Sequence, residues 1–326
     1  MVSFFKEKSA TAVFGLVIVS IGTRLFFWEH HPQIVTSADD GLIYLLLTQL
    51  LFLPIPAIGL LYHFIVVFQA LRLNYALDNL RMFPKPCYTT ALAYVILTAL
   101  IPAWNNISSA LVINGMVIWL LFRLLKLYSS SSPKSLLYNI GLIISCTVIL
   151  YYATMPLILL AFVAVAVYRP FRINEWMILL LGILTPIYFL AGYLFLNDQL
   201  EAVLNKPIIF KLQIIRPANL AITIATFIFT SIVIITGAYL WQSNSGRMVI
   251  QVRKNWSILF FMVILLIPGV FFIKNTWPDA LLLAAPAAAA FVSNTWQYPK
   301  KNLLPALLFW SFIAVITYNN WFVVKF

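Results

Sequence analysis

Between Glu29 and Gly41 the sequence brings together Glu29, His30, His31, Asp39 and Asp40, with apolar stretches on either side. Adjacent carboxylates at a membrane surface can include a general base for an acceptor hydroxyl, tuned by the neighbouring charge and by partial desolvation. The same pair could hold a divalent cation against a lipid phosphate. A plainer reading is that Ser37 or Asp39 caps the next helix and that the acids favour its N-terminal dipole. His30 and His31 lack the spacing of helical metal ligands, so they read as interfacial residues or as contacts to a phosphate.

Arg24 lies in the last turns of the apolar run before this loop. A cation there must snorkel to the surface or meet a partner, and Asp39, Asp40 or a bound phosphate would serve. A second polar stretch, 197–217, carries Asp198, Glu201, Lys206, Lys211 and Arg216 among apolar residues. Such a strip can lie in the interface as an amphipathic helix, with Lys206, Lys211 and Arg216 on a lipid phosphate or diphosphate; it can equally be a connector. His63, in the middle of an apolar run, reads as packing or hydrogen-bonding between helices.

The elements that must position these residues are read from hydropathy. Of 326 residues 63% are hydrophobic and 9% charged, and the mean hydropathy is +0.97, outside the range of a water-soluble domain. Apolar runs at 11–28, 54–71, 88–104, 107–123, 137–153, 156–168, 176–196, 218–241, 257–273, 278–294 and 303–319 predict an all-α, polytopic transmembrane bundle of about eleven spans. The first run is too long for the apolar core of a signal peptide and lacks a cleavage pattern, so it reads as a retained span. The stretch 40–53 fits either an extension of the second span or a short interfacial helix before Pro54.

Sorting the 21 Lys and Arg residues by this topology leaves only Arg24, Lys206, Lys211, Arg216, Lys274 and Lys325 outside, which favours an N-in, C-out orientation. The acids sort the other way, with only Glu7, Asp78 and Glu175 inside. The net charge of +12 is therefore a matter of topology, and nucleic acid is not an expected partner. Trp28, Trp104, Trp277, Trp296 and Trp321 fall at predicted span ends, where indole rings anchor in the headgroup layer. The run Ala284 to Ala290 offers small side chains for close helix contact. Ser129 to Lys134 and Gln242 to Asn255 read as cytoplasmic connectors. Cys87 and Cys146 are too far apart in the topology for a disulfide, and no nucleotide loop, dinucleotide fingerprint, zinc motif or nucleophile elbow is present.

Arg24, the acids after the first span and the ladder of short-looped helices together resemble the GT-C glycosyltransferase fold. The stretch from Pro54 to Phe171 is similar to it as well, with Ala99-Leu100-Ile101-Pro102 ending one span and Tyr168-Arg169-Pro170-Phe171 closing another. The stretch Arg169 to Trp176, Leu184-Thr185-Pro186 and Asp198-Gln199-Leu200 resemble an uncharacterised family of bacterial inner-membrane proteins with no assigned activity. The resemblance implies one transmembrane domain over 1–326, with a GT-C-like module at 1–171 and a C-terminal helical module at 172–326. It implies sugar transfer from a polyprenyl-phosphate carrier at the outer face of the inner membrane, with Asp39 or Asp40 as base and no resident cofactor. The first loop is shorter than is usual in that fold, and the sequence shows no soluble outer domain. A non-catalytic subunit of a secretion or translocation assembly is therefore the alternative, with other inner-membrane proteins as partners. A transporter or flippase ranks third, because His63 alone offers an ionisable group at midplane.

Overall fold

The computed structural model describes residues 2–36, 41–130, 132–199, 201, 220–267, 277–299, 301 and 303–322. The chain is all-α. After a four-residue turn of helix α1 (Val2–Phe5), α2 (Ala10–Gly22) starts where the Ser9 hydroxyl accepts from the Ala12 amide at 3.2 Å. A separate short helix, α3 (Ile43–Leu50), precedes α4 (Ile55–Asn79), which begins at Pro54 with a second proline in its first turn. The stretch before Pro54 is thus a helix of its own and not an extension of the second span.

The chain continues through α5 (Thr89–Leu97), α6 (Ser109–Leu125), α7 (Pro133–Leu150), α8 (Pro156–Tyr168) and α9 (Ile173–Leu196). Then follow α10 (Leu220–Asn244), α11 (Ile250–Leu266), α12 (Trp277–Leu282), α13 (Ala285–Gln297) and α14 (Leu303–Thr317). Two-residue strands β1 (Ile34–Val35) and β2 (Ile107–Ser108) pair in parallel, Ile34 opposite Ile107.

Among the described residues six helical stretches are long and apolar enough to cross a membrane: Ile55–Asn79, Ser109–Ser129, Pro133–Leu150, Ile173–Leu196, Ala221–Arg247 and Leu303–Trp321. Their outward faces are apolar too, as in α9, where Tyr188, Phe189 and Leu196 are 75%, 69% and 82% exposed. Water would not tolerate such faces, whereas lipid does.

Other expected spans take a different form. The run 88–104 becomes α5, of nine residues, followed by a 3-10 turn at Pro102–Asn105. The run 278–294 is broken between Leu282 and Ala285, where Pro286 can only begin a new helix. The run 11–28 ends as α-helix at Gly22 and goes on as a 3-10 turn, Leu25–Trp28.

Every residue of α5 is buried. It packs against α2, α4 and α13, whose alanines Ala287, Ala289 and Ala290 are fully enclosed, so the small side chains do serve close helix contact. Hydroxyl bonds fasten this contact: Thr89 to Ser293 at 2.6 Å and Thr90 to Ser293 at 3.3 Å. Trp28 and Trp321 are exposed enough to anchor in headgroups, but Trp104 and Trp296 are 6% and 0% exposed. Those two are core residues, because their span ends turn inward against the bundle; the side chain of Trp277 lies outside the described residues.

The helices alternate in direction, so their ends gather in two layers. At one end Lys8 pairs with Asp78 at 3.2 Å, the Trp256 indole donates to the Met82 carbonyl, and Tyr168 donates to Asn255 at 2.7 Å. At the other end Asn105 donates to Asn320 at 2.7 Å and Asn319 to the Leu100 carbonyl at 2.8 Å. Among the described residues Arg24 is the only Lys or Arg in the second layer.

The first layer contains one strained residue that matters below. After α4 the Met82 amide reaches the Leu77 carbonyl at 3.1 Å and the Arg81 amide reaches Asp78 at 2.9 Å, a Schellman closure. This places Arg81 at φ 51°, the left-handed position that glycine fills without penalty. Arg81→Gly is expected to stabilise the fold by about 1 kcal/mol, read as a higher Tm in detergent; a lower Tm would contradict it.

Candidate functional site

Arg24 sits where α2 gives way to the 3-10 turn. Thr23 closes the helix with its amide on Val19, and Arg24 leaves helical geometry at φ −125°, ψ 30°. The change of direction turns the side chain into the bundle, where it is 1% exposed. It therefore does not snorkel.

Its Nε donates to Tyr62 Oη at 3.1 Å, and Nη2 donates to Thr98 Oγ1 at 2.9 Å. Nη1 donates to the Ser20 carbonyl at 3.3 Å and to Thr23 Oγ1 at 3.2 Å. The guanidinium also lies over the Tyr62 ring, 5.0 Å from its centroid. These bonds tie α2 to α4 and α5, and each ends on a neutral oxygen. Four of the five guanidinium N–H groups are spent in this way. The hydrogen bonds are met, but the charge is not neutralised by any of these partners, an expensive state inside a bilayer.

The partners are themselves anchored. Tyr62 donates to the Trp104 carbonyl at 2.9 Å and Thr98 to the Val95 carbonyl at 2.9 Å. Beside them Ser20 Oγ and His63 Nδ1 are 3.0 Å apart, so His63 bonds between helices as its position suggested. Phe27 packs edge-on against Tyr62, ring centroids 5.4 Å apart, and at 5.5 Å from His63.

The polar contacts continue inward: Tyr94 donates to Gln69 at 2.7 Å, Gln69 to the Leu111 carbonyl at 2.7 Å, and Asn114 to the Leu282 carbonyl at 2.8 Å. Sequence reading passed over Tyr62, Thr98, Tyr94, Gln69 and Asn114. A signal existed for two of them, because Tyr62 and Gln69 are seven residues apart and share the buried stripe of α4 with Val66 and Leu73. Asp279, expected at the outer surface, is instead buried at the start of α12, which packs against α6 and the Pro102–Asn105 turn.

The first loop is fastened on both flanks. The Gln33 amide donates to Asn106 Oδ1 at 3.0 Å, the Ile107 amide to the Gln33 carbonyl at 2.9 Å, and strand pairing continues from there. Downstream, the Leu42 amide reaches the Ile149 carbonyl at 3.2 Å. Gly41 is obligatory at that point: its φ is 98°, and a Cβ would stand 2.7 Å from the Leu150 carbonyl oxygen. His30 and His31 are exposed on this loop.

Asp39 and Asp40, and Lys206, Lys211 and Arg216 of the second stretch, lie outside the described residues, as does any pairing of them with Arg24. No group of three or more His, Cys, Asp or Glu that could hold a metal occurs among the described residues. Both cysteines are free thiols. Burial pushes the Cys87 thiol up, against hydrogen bonds from Thr89 that partly offset it, so a thiolate nucleophile is disfavoured there.

Fold and site together define an all-α bundle built on helices long and apolar enough to cross a membrane, with a buried cation beneath its first loop. No family model, no curated protein and no solved structure matches the chain.

Proposed function

We propose that the protein is a GT-C-like membrane protein that binds polyprenyl-phosphate-linked sugars at the outer face of a bacterial inner membrane and transfers them, with Asp39 or Asp40 as base. The observation that carries this reading is Arg24, a buried guanidinium on neutral oxygens directly before a pinned loop that carries adjacent carboxylates. In the reaction, the carboxylate takes the acceptor hydroxyl proton, the acceptor oxygen bonds to the anomeric carbon, and the bond from that carbon to the lipid phosphate breaks. Negative charge then gathers on the leaving phosphate, where a fixed cation in a low-dielectric setting lowers the barrier most.

The orientation follows from charge. Among the described residues the Lys and Arg side chains other than Arg24 lie at the opposite end, a bias that supports reading that end as cytoplasmic and the Arg24 end as external. On this reading the remaining crossings, to about eleven, are made by shorter segments: α2 and α5 each together with the 3-10 turn that follows it, α8, α11, and the α12–α13 pair.

One observation favours a non-catalytic subunit of a larger membrane assembly instead. Arg24 is buried against the Tyr62 ring, and its bonds tie α2 to α4 and α5, which a purely structural role would also require. The substitutions Asp39→Asn and Asp40→Asn, singly and together, separate the readings in cells. Loss of lipid-linked glycan or glycoprotein products is expected for at least one of them. Unchanged products in the double variant would end the catalytic reading, and a stable copurifying partner set without bound lipid would establish the subunit.

A further inference from the structure

At the end opposite Arg24, the C-termini of α4 and α6 and the N-terminus of α7 surround an open cleft of about 670 Å³. Arg81, Arg123 and Lys126 line it, and no carboxylate is among its described lining residues. The ion pairs of this layer, Lys8 with Asp78 and Arg169 with Glu175, use other cations.

Arg123 and Lys126 suit the negative end of the α6 dipole, and that would explain them if they stood alone. The start of α7 faces the same space through Ser132, Ser135 and Asn139, and the Ser132 hydroxyl does not cap the helix. A positive dipole end and three cations around one cavity repel one another until an anion enters. Arg81 sharpens the point, since it holds a left-handed backbone position that glycine would occupy more cheaply.

The cleft does not stand alone on these helices. One turn further into the bundle, a mainly apolar groove of about 190 Å³ runs between α4 and α6, lined by Phe68, Ile118, Trp119 and Phe122, opened by Gly115, and with Gln69 and Arg72 as its polar lining. Phe122 belongs to the groove and Lys126 to the cleft, and the Lys126 ammonium lies 4.1 Å from the centre of the Phe122 ring. A basic polar chamber beside a mainly apolar groove, linked by the Lys126–Phe122 contact, matches a molecule with an anionic head and a hydrocarbon tail.

We infer that an anionic phospholipid of the leaflet at this end is bound here, its phosphate among Arg81, Arg123, Lys126 and the start of α7, and one acyl chain in the α4–α6 groove. The guanidinium groups give the phosphate charge-assisted, geometrically matched hydrogen bonds. The serine and asparagine side chains suit the polar part of the headgroup. The inference does not depend on the catalytic role proposed for the other end.

The test uses the full chain in detergent, with dioleoyl phosphatidylglycerol, dioleoyl phosphatidylcholine and sodium pyrophosphate as probes and native mass spectrometry as readout. Phosphatidylglycerol is expected to bind about tenfold more tightly than phosphatidylcholine, and Arg81→Ala with Arg123→Ala and Lys126→Ala to reduce the preference to about twofold or less. Arg81→Gly, which the turn favours, is expected to lose about threefold of it while the protein stays folded. Gly115→Leu, which fills the groove, should weaken phosphatidylglycerol and leave pyrophosphate unaffected. Equal binding of the two lipids by the natural sequence overturns the inference, and so does a preference that survives the triple substitution or is lost equally in Arg253→Ala with Lys254→Ala. Pyrophosphate binding as tight as phosphatidylglycerol and indifferent to Gly115→Leu would assign the cleft to a soluble phosphate compound instead.

Discussion

Arg24→Met is expected to leave the bundle folded and to reduce lipid-linked glycan products in cells by about a hundredfold. The first half of this result follows from the hydrogen bonds, and the second from the role proposed for the cation at the leaving phosphate. Tyr62 and Thr98 give their own hydroxyl protons to the carbonyls of Trp104 and Val95, so removal of the guanidinium takes from each only a bond it accepts. No buried donor is orphaned. The methionine side chain replaces much of the lost volume and removes the cost of holding a charge away from water, which commonly leaves stability unchanged or improves it.

A cation kept only to tie helices would behave differently. Its loss would leave glycan products in proportion to the folded protein, whatever it did to Tm. Tm in detergent and products per folded molecule, measured on the same variant, therefore distinguish a strut from a phosphate partner. Arg24→Lys adds a second contrast, because an ammonium keeps the charge but cannot reach Tyr62 and Thr98 together in the same fork.

Hydropathy located the long helices well. Runs at 54–71, 107–123, 137–153, 176–196, 218–241 and 303–319 each fall within or against a helix long enough to cross a bilayer. It failed where tertiary contacts decide the element. The run 88–104 is continuous in hydropathy, yet the α-helix stops at Leu97, where the Thr98 hydroxyl turns back on Val95 and receives Arg24. The partner that stabilises that interruption is 74 residues away.

Arg24 itself was legible as a charge near a span end but not in direction. A helix of thirteen residues with apolar side chains on every face gives no phase, and the turn that sends Arg24 inward lies after the helix has closed. Ser129, Ser130 and Ser132 read as a plain connector for the same reason. Their place in a basic cleft depends on the ends of α4, α6 and α7 meeting in space.

Gly182→Ala is expected to cost about 2 to 3 kcal/mol, although it adds a single methyl group to an apolar helix. The methyl carbon would stand 2.5 Å from the Tyr138 carbonyl oxygen and 3.1 Å from the Gly141 Cα, and a methyl on Gly141 would in turn meet the Leu179 carbonyl oxygen at 2.6 Å. The α7 and α9 backbones therefore touch through paired glycines, with no flexible side chain between them to yield. Lipid tails are as apolar as the helix surfaces, so close backbone approach is itself the main source of cohesion for such a pair. Separation of the helices gives up that contact along the crossing and strains the Tyr138–Thr185 hydroxyl bond of 3.2 Å beside it. Gly192 on the same helix is the matched control, since a Cβ there meets nothing within 4 Å. Gly192→Ala should raise stability by about 0.5 to 1 kcal/mol through helix propensity alone. A Tm about 5 °C lower for Gly182→Ala beside an unchanged or higher Tm for Gly192→Ala is the expected pair of results. Equal effects at the two sites would mean that α7 and α9 do not approach through these glycines. Because α7 also carries the Ile149 carbonyl that fixes Leu42 and the Ser132–Ser135 start that faces the basic cleft, a shift of this one helix should be felt at both ends of the bundle.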